Sequence, residues 1–321
     1  MPAALRAIAP TRFVTVQDGG RRGWRRFGVA VSGAMDRMSL AIANALVGNR
    51  PTEAGLEFAH AGGEWLVDAP SCRIAVTGGT FAVLVDGVPV GAFRSITLRQ
   101  GQRLHIRGAP DAVWGYLAVA GGFDIAMQFG SRSTHSRTGI GGWSGRALVP
   151  GDALPLRLAQ SPDEPDRTID PPVREAAPFR LVLGPQDDYF AESSLAALVS
   201  ADFKVTHHMD RMAYRLDGPV LTHRESYNII TDGVVPGSIS VPGTGQALVL
   251  MRDAPTVGGY PKIATVIESD LGRLAQHRPG AAISFRAVTA IEAQALRRRF
   301  LARLQIIAEN LGSPRLQVPR S

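Results

Sequence analysis

Apolar and polar residues alternate through much of the first half of the chain, with the period of two that is typical of β-strands. Residues 81–90 alternate on both sides of an Asp-Gly pair at 86–87, which suits the two-residue turn of a hairpin because both positions accept a positive φ. Further strands are predicted in this half at 95–98, 103–106 and 113–119. The pattern therefore predicts a mostly β first half.

Two helices are predicted from apolar residues at helical spacing. The first has Ser32 as its cap, carries apolar residues at 35, 38, 42 and 46, and stops at Gly48 and Pro51. The second, at the end of the chain, starts with a capping box formed by Thr289 and Glu292. Its apolar stripe is terminated by the glycine and proline at 312 and 314.

The second half repeats the β pattern after a stretch at 159–178 that is rich in proline and acidic residues and is interpreted as a linker. A short helix that ends near Leu198 is predicted, with Asp187 or Asp188 as its cap. Strands are predicted at 179–183, 203–208, 227–231, 237–241, 247–252, 263–268 and 282–288. The expected domains are residues 1–158, residues 179–288, and a C-terminal helix with its tail at 289–321.

Composition and charge limit the classes of ligand that the protein is expected to bind. The formal charge is +7, but the arginines are scattered among acidic residues and only 7% of residues are aromatic. This favours a small anionic substrate or an acidic protein partner over nucleic acid. No apolar run of membrane-spanning length and no signal peptide is present, so a cytoplasmic protein without membrane contact is expected. The single Cys72 lies in a predicted strand, and a buried, inert thiol is expected there.

Lysine is scarce, which draws attention to Lys262. Of the 35 basic residues only Lys204 and Lys262 are lysines, and the second follows a Gly-Gly-Tyr-Pro turn at 258–261. A lysine is a compact charge that exchanges protons more readily than arginine does. Adjacent glycines also let the backbone approach a ligand. The loop from Asp253 to Lys262 is therefore the favoured site, with Asp253 expected to hold the lysine; the alternative is a chance lysine on a loop.

Two other loops carry potential anion-binding groups. One contains Asp18 and Arg21 and is expected to act together with Ser32 and Gly33 at the predicted helix start. Free backbone amides at a helix start suit an anion, and the Arg21 guanidinium can bind a carboxylate or phosphate through two hydrogen bonds. The other, at 130–139, mixes hydroxyls with two arginines. A capped helix and a solvated loop are equally good interpretations. Arg211 is a weaker candidate, since an internal ion pair explains it better. The histidine spacing predicts no metal site.

Several motifs together resemble the allophanate hydrolase subunit 2 family, which includes the C subunit of bacterial 5-oxoprolinase and the carboxyltransferase portion of urea carboxylase. The resemblance covers roughly residues 11–288. It rests on motifs at 15–21, 32–36, 43–49, 55–57, 116–122, 130–134, 145–148, 210–212, 245–246 and 258–262. The sequence departs from the family at Ala213, Ser240 and Pro255.

The resemblance implies a mainly β fold with two cyclophilin-like β-barrel domains. It also implies that the chain is one component of an ATP-dependent 5-oxoprolinase, an enzyme that opens 5-oxoproline to glutamate. The B subunit is then an obligate partner and the A subunit a further one, and this chain is expected to be inactive alone. The site of ATP is not located in this chain. The implied catalytic residues are Lys262, Tyr260 and Asp253. The implied substrate-binding residues are Asp18, Arg21, Ser32, Gly33, Ser131, Arg132, Ser133, Thr134, Arg211, Gly258 and Gly259.

Two alternatives stay open. One is a biotin-dependent carboxyltransferase acting on urea or another amide. Biotin would then arrive on a separate carrier, because the chain lacks the Met-Lys-Met turn that bears it. The other is a non-enzymatic regulatory protein that sequesters a kinase inhibitor and does not need Lys262.

Overall fold

The computed structural model describes residues 3–173 and 176–309. The chain divides into two compact units. Unit 1 comprises Met1–Arg21, Ser32–Val173 and Ala302–Ser321, and unit 2 comprises Arg22–Val31 and Arg174–Leu301. Short strands dominate both, so the prediction of a mainly β fold is confirmed. No helix among the described residues combines the length and the apolar character needed to cross a bilayer.

Unit 1 is built from two antiparallel sheets. One has the strand order β11-β1-β4-β9-β6-β7 and the other the order β2-β3-β10-β5-β8. The strands are β1 (Ala4–Ala9), β2 (Thr15–Gln17), β3 (Gly55–Ala59), β4 (Gly63–Asp68), β5 (Ser71–Thr77), β6 (Val83–Val85), β7 (Val88–Pro89), β8 (Ser95–Arg99), β9 (Arg103–Ile106), β10 (Trp114–Val119) and β11 (Ala153–Pro155). The predicted hairpin is confirmed as β6 and β7, with φ of 48° at Asp86 and 84° at Gly87.

Burial in unit 1 follows the position of each strand. In β4 buried and half-buried residues alternate, as in a strand with one face on the core. Every residue of β5 and β10 is buried, because helix α1 (Arg37–Leu46) contacts both strands. Cys72 of β5 is buried in this core, and burial raises the pKa of its thiol to about 12. The prediction of a buried thiol is confirmed.

Helix α1 starts later than predicted. Its N-cap is Asp36, whose carboxylate accepts hydrogen bonds from the backbone N–H and the hydroxyl of Ser39. Ser32 lies four residues before this cap, so its predicted capping role was wrong. Asp36 is the better cap because its side chain reaches the third residue of the helix, where the first turn leaves backbone amides unpaired.

A buried polar cluster sits beside the start of α1. The Tyr116 hydroxyl donates to Glu57 Oε2 at 2.9 Å and accepts from the backbone N–H of Asp36 at 2.7 Å. Glu57 also accepts from the backbone N–H of Met35 at 2.7 Å. Burial, and then the charge of Glu57, raise the pKa of Tyr116 well above its usual range. The phenol therefore stays protonated and serves as a donor to the carboxylate.

Unit 2 contains an eight-stranded sheet of order β20-β13-β14-β17-β16-β19-β12-β21 and a two-stranded ribbon of β15 and β18. All its strand pairs are antiparallel except β12 with β21. The strands are β12 (Phe179–Leu183), β13 (Phe203–Met209), β14 (Ala213–Asp217), β15 (Asp232–Gly233), β16 (Ser238–Ser240), β17 (Leu248–Leu250), β18 (Val257–Gly258), β19 (Lys262–Val266), β20 (Ala282–Ile283) and β21 (Phe285–Ala287).

Sequence predictions for unit 2 were correct for most strands and wrong in three places. No strand forms at 227–231; Ile229 donates to the Gly259 carbonyl, but regular pairing begins only with β15. The predicted strand at 263–268 stops at Val266, and helix α3 (Glu268–Ala275) follows it. The short helix α2 (Glu192–Ser200) begins after Ala191, whereas Asp187 and Asp188 lie in a separate 3₁₀ turn. Strand β14 was not predicted.

The last helix, α4 (Ala290–Glu309), begins with the predicted capping box. The Thr289 hydroxyl accepts from the backbone N–H of Glu292 at 3.2 Å, and the Glu292 carboxylate accepts from the backbone N–H of Thr289 at 2.8 Å. Two unpaired amides of the first turn are thereby satisfied. The predicted stop at 312 and 314 lies outside the described residues.

The first part of the predicted linker is attached to unit 1. Arg73 is buried, and its guanidinium donates to the carbonyls of Glu164 and Pro165 and to the Ser95 hydroxyl. The backbone N–H of Arg73 donates to the Ser161 hydroxyl at 2.6 Å. These contacts hold residues 161–165 against the β5 strand, so this acidic, proline-rich stretch is ordered by one arginine.

Candidate active site

The scarce lysine occupies a buried position in unit 2. Lys262 begins β19, and its side chain is only 3% exposed. Its Nζ donates to Asp232 Oδ2 at 2.9 Å, and its backbone N–H donates to Gln186 Oε1 at 3.2 Å. Gln186 Nε2 also donates to Asp232 Oδ2 at 3.3 Å. The ammonium group is therefore held by Asp232, and Gln186 links that carboxylate to the backbone of Lys262.

Asp232 is the more accessible member of this set, with its side chain 53% exposed. The hydrogen bond from Lys262 is the main cause that lowers the pKa of Asp232, followed by the backbone N–H of Gly233. The carboxylate is therefore ionised at neutral pH. Because the ammonium itself is buried, a ligand oxyanion would have to displace the half-exposed Asp232 carboxylate to pair with it.

The predicted Gly-Gly-Tyr-Pro-Lys turn is adjacent to this pair. Gly258 of β18 is the cross-strand partner of Asp232 in the β15–β18 ribbon, and the carbonyl of Gly259 accepts from the backbone N–H of Ile229 at 2.9 Å. Tyr260 is 42% exposed. The turn thus places glycine backbone and a partly exposed tyrosine next to the lysine and its partner.

A third glycine fixes the backbone of Lys262. Gly184 follows β12, and a Cβ at that position would overlap the carbonyl of Lys262 well inside van der Waals contact. The close approach is held by a hydrogen bond from the Gly184 N–H to the carbonyl of Ile263 at 2.8 Å. The sequence analysis did not predict Gly184, Gln186 or Asp232 as site residues. The sequence signals that could have pointed to them are the Gly-Pro-Gln run after a strand and the Asp-Gly pair at 232–233.

Asp253 does not hold Lys262, contrary to the expectation from the sequence. Its carboxylate makes a bidentate pair with Arg211, with Nε–Oδ2 at 2.8 Å and Nη2–Oδ1 at 2.9 Å. Both side chains are 13% exposed. The planar guanidinium matches a carboxylate better than an ammonium does. Arg211 and Asp253 therefore form an internal ion pair, and substrate contact by either residue stays a prediction.

In unit 1 the two predicted loops come together at Asp18, which is buried. Its Oδ1 accepts from the hydroxyls of Ser131 at 2.7 Å and Ser133 at 2.5 Å, and from the backbone N–H of Gly20 at 2.8 Å. Its Oδ2 accepts from the backbone N–H of Arg132 at 2.6 Å. The donors predicted to bind an external anion are thus already bound to an anion of the chain itself.

Arg21 is also engaged within unit 1. The residue has no exposed surface, and its guanidinium donates to the carbonyls of Gln128 and Ser133. Thr134 is buried as well and donates from its hydroxyl to the carbonyl of Val16 at 3.0 Å. The expectation that Arg21 clamps a substrate carboxylate was wrong for this structure, because a fully buried guanidinium bound to backbone carbonyls is not accessible to one.

Ser32 differs from the other predicted groups of unit 1. It is 1% exposed, its φ of 51° is rare for a non-glycine residue, and its hydroxyl has no hydrogen-bond partner among the described residues. Gly33, with φ of 85°, lies so close to the backbone of Gly20 that a Cβ would be 2.9 Å away. Ser32 and Gly33 are therefore held in strained, tightly packed backbone beside Asp18, and substrate binding by them stays a prediction.

The fold and this arrangement define a class of protein. The family model of the carboxyltransferase domain, subdomains A and B, matches residues 27–287. The chain belongs to this family. The resemblance indicated by the sequence motifs is thereby confirmed.

Individual relatives match most of the chain. The 5-oxoprolinase C subunit of Haemophilus influenzae is 36% identical over 285 residues, which cover 89% of this chain and 91% of that protein. The 5-oxoprolinase C subunit of Escherichia coli is 36% identical over 282 residues, which cover 88% and 90%.

Solved structures match the fold but extend beyond it. The K. lactis urea amidolyase superposes with a TM-score of 0.87 at 27% identity, over 99% of this chain and 20% of that chain. A second solved chain, 35% identical, superposes with a TM-score of 0.80, and this protein spans 57% of its length. The match therefore covers only part of each of these longer chains.

Proposed function

We propose that the protein is the C subunit of an ATP-dependent 5-oxoprolinase, which hydrolyses the lactam bond of 5-oxoproline to give glutamate. The observation that carries this proposal is the match to two proteins of that name over about nine-tenths of their own lengths. The buried Lys262 ammonium beside a Gly-Gly turn supports it, since lactam hydrolysis develops negative charge on the carbonyl oxygen.

Hydrolysis of the ring needs an oxygen nucleophile at the lactam carbonyl and a proton for the ring nitrogen. Water supplies the oxygen, the carbonyl C–N bond breaks, and the nitrogen leaves as the amine of glutamate; ATP drives the opening by phosphoryl transfer to the lactam and is released as ADP and phosphate. Lys262 stabilises the developing oxyanion, and fixed positive charge of this kind contributes several kcal/mol to a barrier. Asp232 holds the ammonium where that charge forms, and Gln186 positions Asp232 and the Lys262 backbone.

The chain acts together with the B and A subunits and has little activity alone. The sequence carries no Gly-x4-Gly-Lys-Ser/Thr loop for a nucleotide, and the two relatives are each named as one component of an enzyme. The phosphoryl donor is therefore assigned to the complex and not to a residue of this chain.

The test is glutamate release by the purified chain mixed with its B and A subunits, ATP and 5-oxoproline. Lys262→Ala is expected to lower kcat by roughly 10²- to 10³-fold, the loss typical of a removed oxyanion donor. Lys262→Arg keeps the charge but not the compact head, and it is expected to stay strongly impaired. The matched control is Lys204→Ala, which removes the other lysine, exposed on β13. Near-full release by Lys262→Ala contradicts the role of this residue.

A carboxyltransferase role is the second candidate, favoured by the superposition on the urea amidolyase. In that case the chain would take a carboxyl group from a separate biotinylated carrier. Incubation of the chain with carboxylated biotin carrier and urea tests this; urea-dependent loss of carboxyl-biotin, with no glutamate from 5-oxoproline, would replace the first proposal by the second.

A further inference from the structure

A short turn of unit 2 presents aromatic and arginine side chains to the solvent. It is the 3₁₀ turn Arg25–Phe27, which Trp24 precedes and Gly28 closes with φ of 78°. Phe27 is 61% exposed and Trp24 is 37% exposed, and their ring centroids lie 5.7 Å apart. The Arg26 guanidinium lies over the Phe27 ring at 4.8 Å. Together, Trp24, Arg26 and Phe27 form the aromatic turn, and none of them was predicted as a site residue.

The aromatic turn is held in place by contacts within unit 2. The backbone N–H of Phe27 donates to the carbonyl of Trp24 at 2.9 Å. The backbone N–H of Gly28 donates to the carbonyl of Arg25, also at 2.9 Å. Arg25 Nη2 in turn donates to the carbonyl of Thr256 at 3.3 Å, which ties the turn to the start of β18. A surface that is already ordered loses little conformational freedom when a partner covers it.

An open groove of about 590 Å³ lies between this turn and the β15–β18 ribbon. On the ribbon side it is lined by Val235 and Val257, which are 47% and 52% exposed. Gly233 also lines the groove and directly follows Asp232 in β15. Successive residues of a strand face opposite sides, so the groove lies on the face of the ribbon away from Lys262. An occupant of the groove therefore leaves the lysine site accessible.

The positive charge of this surface is only partly balanced within the chain. Arg22, Arg25 and Arg26 lie close together in the sequence. Of these three, only Arg22 has a carboxylate within ion-pair distance among the described residues, which is Glu268 at 3.9 Å. A partner that carries carboxylates would complement this charge, and such complementarity raises the association rate and selects the partner.

The composition and shape of the surface favour a protein over a lipid bilayer as the partner. Tryptophan and arginine are among the residue types that carry most of the binding energy at protein interfaces. A groove beside a projecting turn fits the ridge of a folded protein better than it fits a flat bilayer. Lipid-binding clusters have about four to eight basic residues, and the segment at 22–28 has three.

We propose that the aromatic turn and the adjacent groove are the docking surface for a partner subunit. The contact segment of that subunit carries carboxylates around a bulky apolar side chain. The apolar side chain packs against Phe27 and Val257, and the carboxylates pair with Arg26 and Arg22. This inference rests on the proposed function for the identity of the partner, which is the B subunit.

The experiment measures binding of the full chain to the purified B subunit by surface plasmon resonance at low and high salt. Phe27→Ala is expected to weaken binding at least about 30-fold, the loss typical of an aromatic hot spot. Arg26→Glu is expected to lower the association rate constant about tenfold or more at low salt, because attraction between opposite charges accelerates the encounter. The salt dependence of that rate constant should become weaker in this variant.

Two control variants change residues of the same kind elsewhere on unit 2. Ile291→Ala removes an exposed apolar side chain at the start of α4, and Lys204→Glu reverses an exposed charge on β13. Both should bind the B subunit as the unaltered chain does. Because Phe27 and Arg26 are exposed, their variants should keep the urea-unfolding midpoint of the unaltered chain, so that a loss of binding is not a loss of folding.

Each outcome decides the proposal. Unchanged binding in both Phe27→Ala and Arg26→Glu overturns it, and so does equal weakening in the two control variants or absence of binding between the B subunit and the unaltered chain. Binding to phosphatidylserine–phosphatidylcholine vesicles that both variants abolish, while B-subunit binding is unaffected, would assign the surface to a membrane and overturn the proposal. Self-association of the chain with the same dependence would assign it to a second copy, with the same consequence.

Failure of this inference can be told apart from failure of the proposed function. If the unaltered complex releases glutamate from 5-oxoproline and Phe27→Ala assembles normally, the docking surface is refuted and the proposed function stands. If Phe27→Ala fails to assemble and the unaltered, assembled complex releases no glutamate, the docking surface is supported and the proposed function is refuted.

Discussion

Replacing Asp18 by asparagine tests whether the hydroxyl-rich loop of unit 1 is held by this one carboxylate. Asp18 accepts four hydrogen bonds, three at Oδ1 and one at Oδ2. Asparagine keeps one oxygen with the same shape, so the change removes charge and one acceptor without leaving a cavity. We expect the loop to lose most of the stabilisation that Asp18 provides.

The magnitude follows from the individual bonds. At Oδ1, three charge-assisted hydrogen bonds become neutral ones, and each is expected to lose about 1 kcal/mol. At the other position, the amide nitrogen of asparagine faces the N–H of Arg132, and a buried donor without an acceptor costs about 1–3 kcal/mol. Partial relaxation of the loop reduces the sum, so the expected loss in the free energy of unfolding is about 3 kcal/mol or more.

Urea unfolding followed by tryptophan fluorescence is the suitable assay, because three of the four tryptophans lie in unit 1. Asp68→Asn is the matched control. Asp68 also accepts from an arginine, Arg6 at 2.8 Å, but its side chain is 27% exposed, and partly exposed pairs of this kind contribute about 1 kcal/mol or less. If Asp18→Asn is no more destabilising than Asp68→Asn, the central role of Asp18 is refuted.

Two further predictions concern other parts of the molecule. Tyr116 keeps its proton in the folded protein, whereas the tyrosine of the unfolded chain ionises near pH 10, so the free energy of unfolding should fall as the pH rises above about 10. Tyr116→Phe should lower the free energy of unfolding by about 2 kcal/mol at pH 8 and make its fall above pH 10 less steep. An unchanged pH dependence of urea unfolding in this variant would disprove the assignment. Gly184→Ala should displace the Lys262 backbone and lower kcat for glutamate release at least about tenfold. The control is Gly108→Ala, which should leave kcat unchanged because its Cβ would lie 3.3 Å from its nearest neighbour. Equal kcat values in the two variants would contradict the role of Gly184.

Local signals in the sequence predicted local structure well. The Asp-Gly hairpin at 86–87 and the capping box of Thr289 and Glu292 are both confirmed, because each depends on residues no more than three positions apart. The start of α1 was misplaced, since Ser32 and Asp36 are both good caps and only the positions of Tyr116 and Glu57, which come from distant strands, select between them.

Contacts between distant residues were harder to predict. Lys262 was expected to pair with Asp253, the nearest acid before its turn, but its partner Asp232 is 30 positions away. That pairing depends on a ribbon of two-residue strands, which leaves no periodic signal in the sequence. Likewise, the loops with Asp18 and with Ser131 and Ser133 were each predicted to bind an anion, and their 113- to 115-residue separation concealed that they bind each other.

Cys72 is the chain's single cysteine and it is buried, which is useful for labelling. With a pKa of about 12, only about one thiol in ten thousand is ionised at pH 8, and the sulfur is buried in the apolar core of unit 1. Maleimide reagents should therefore not modify the native chain. A cysteine introduced at an exposed position of each unit would accept a fluorophore or spin label against an empty background, which makes the chain ready for distance measurements between its two units without prior mutagenesis of native thiols.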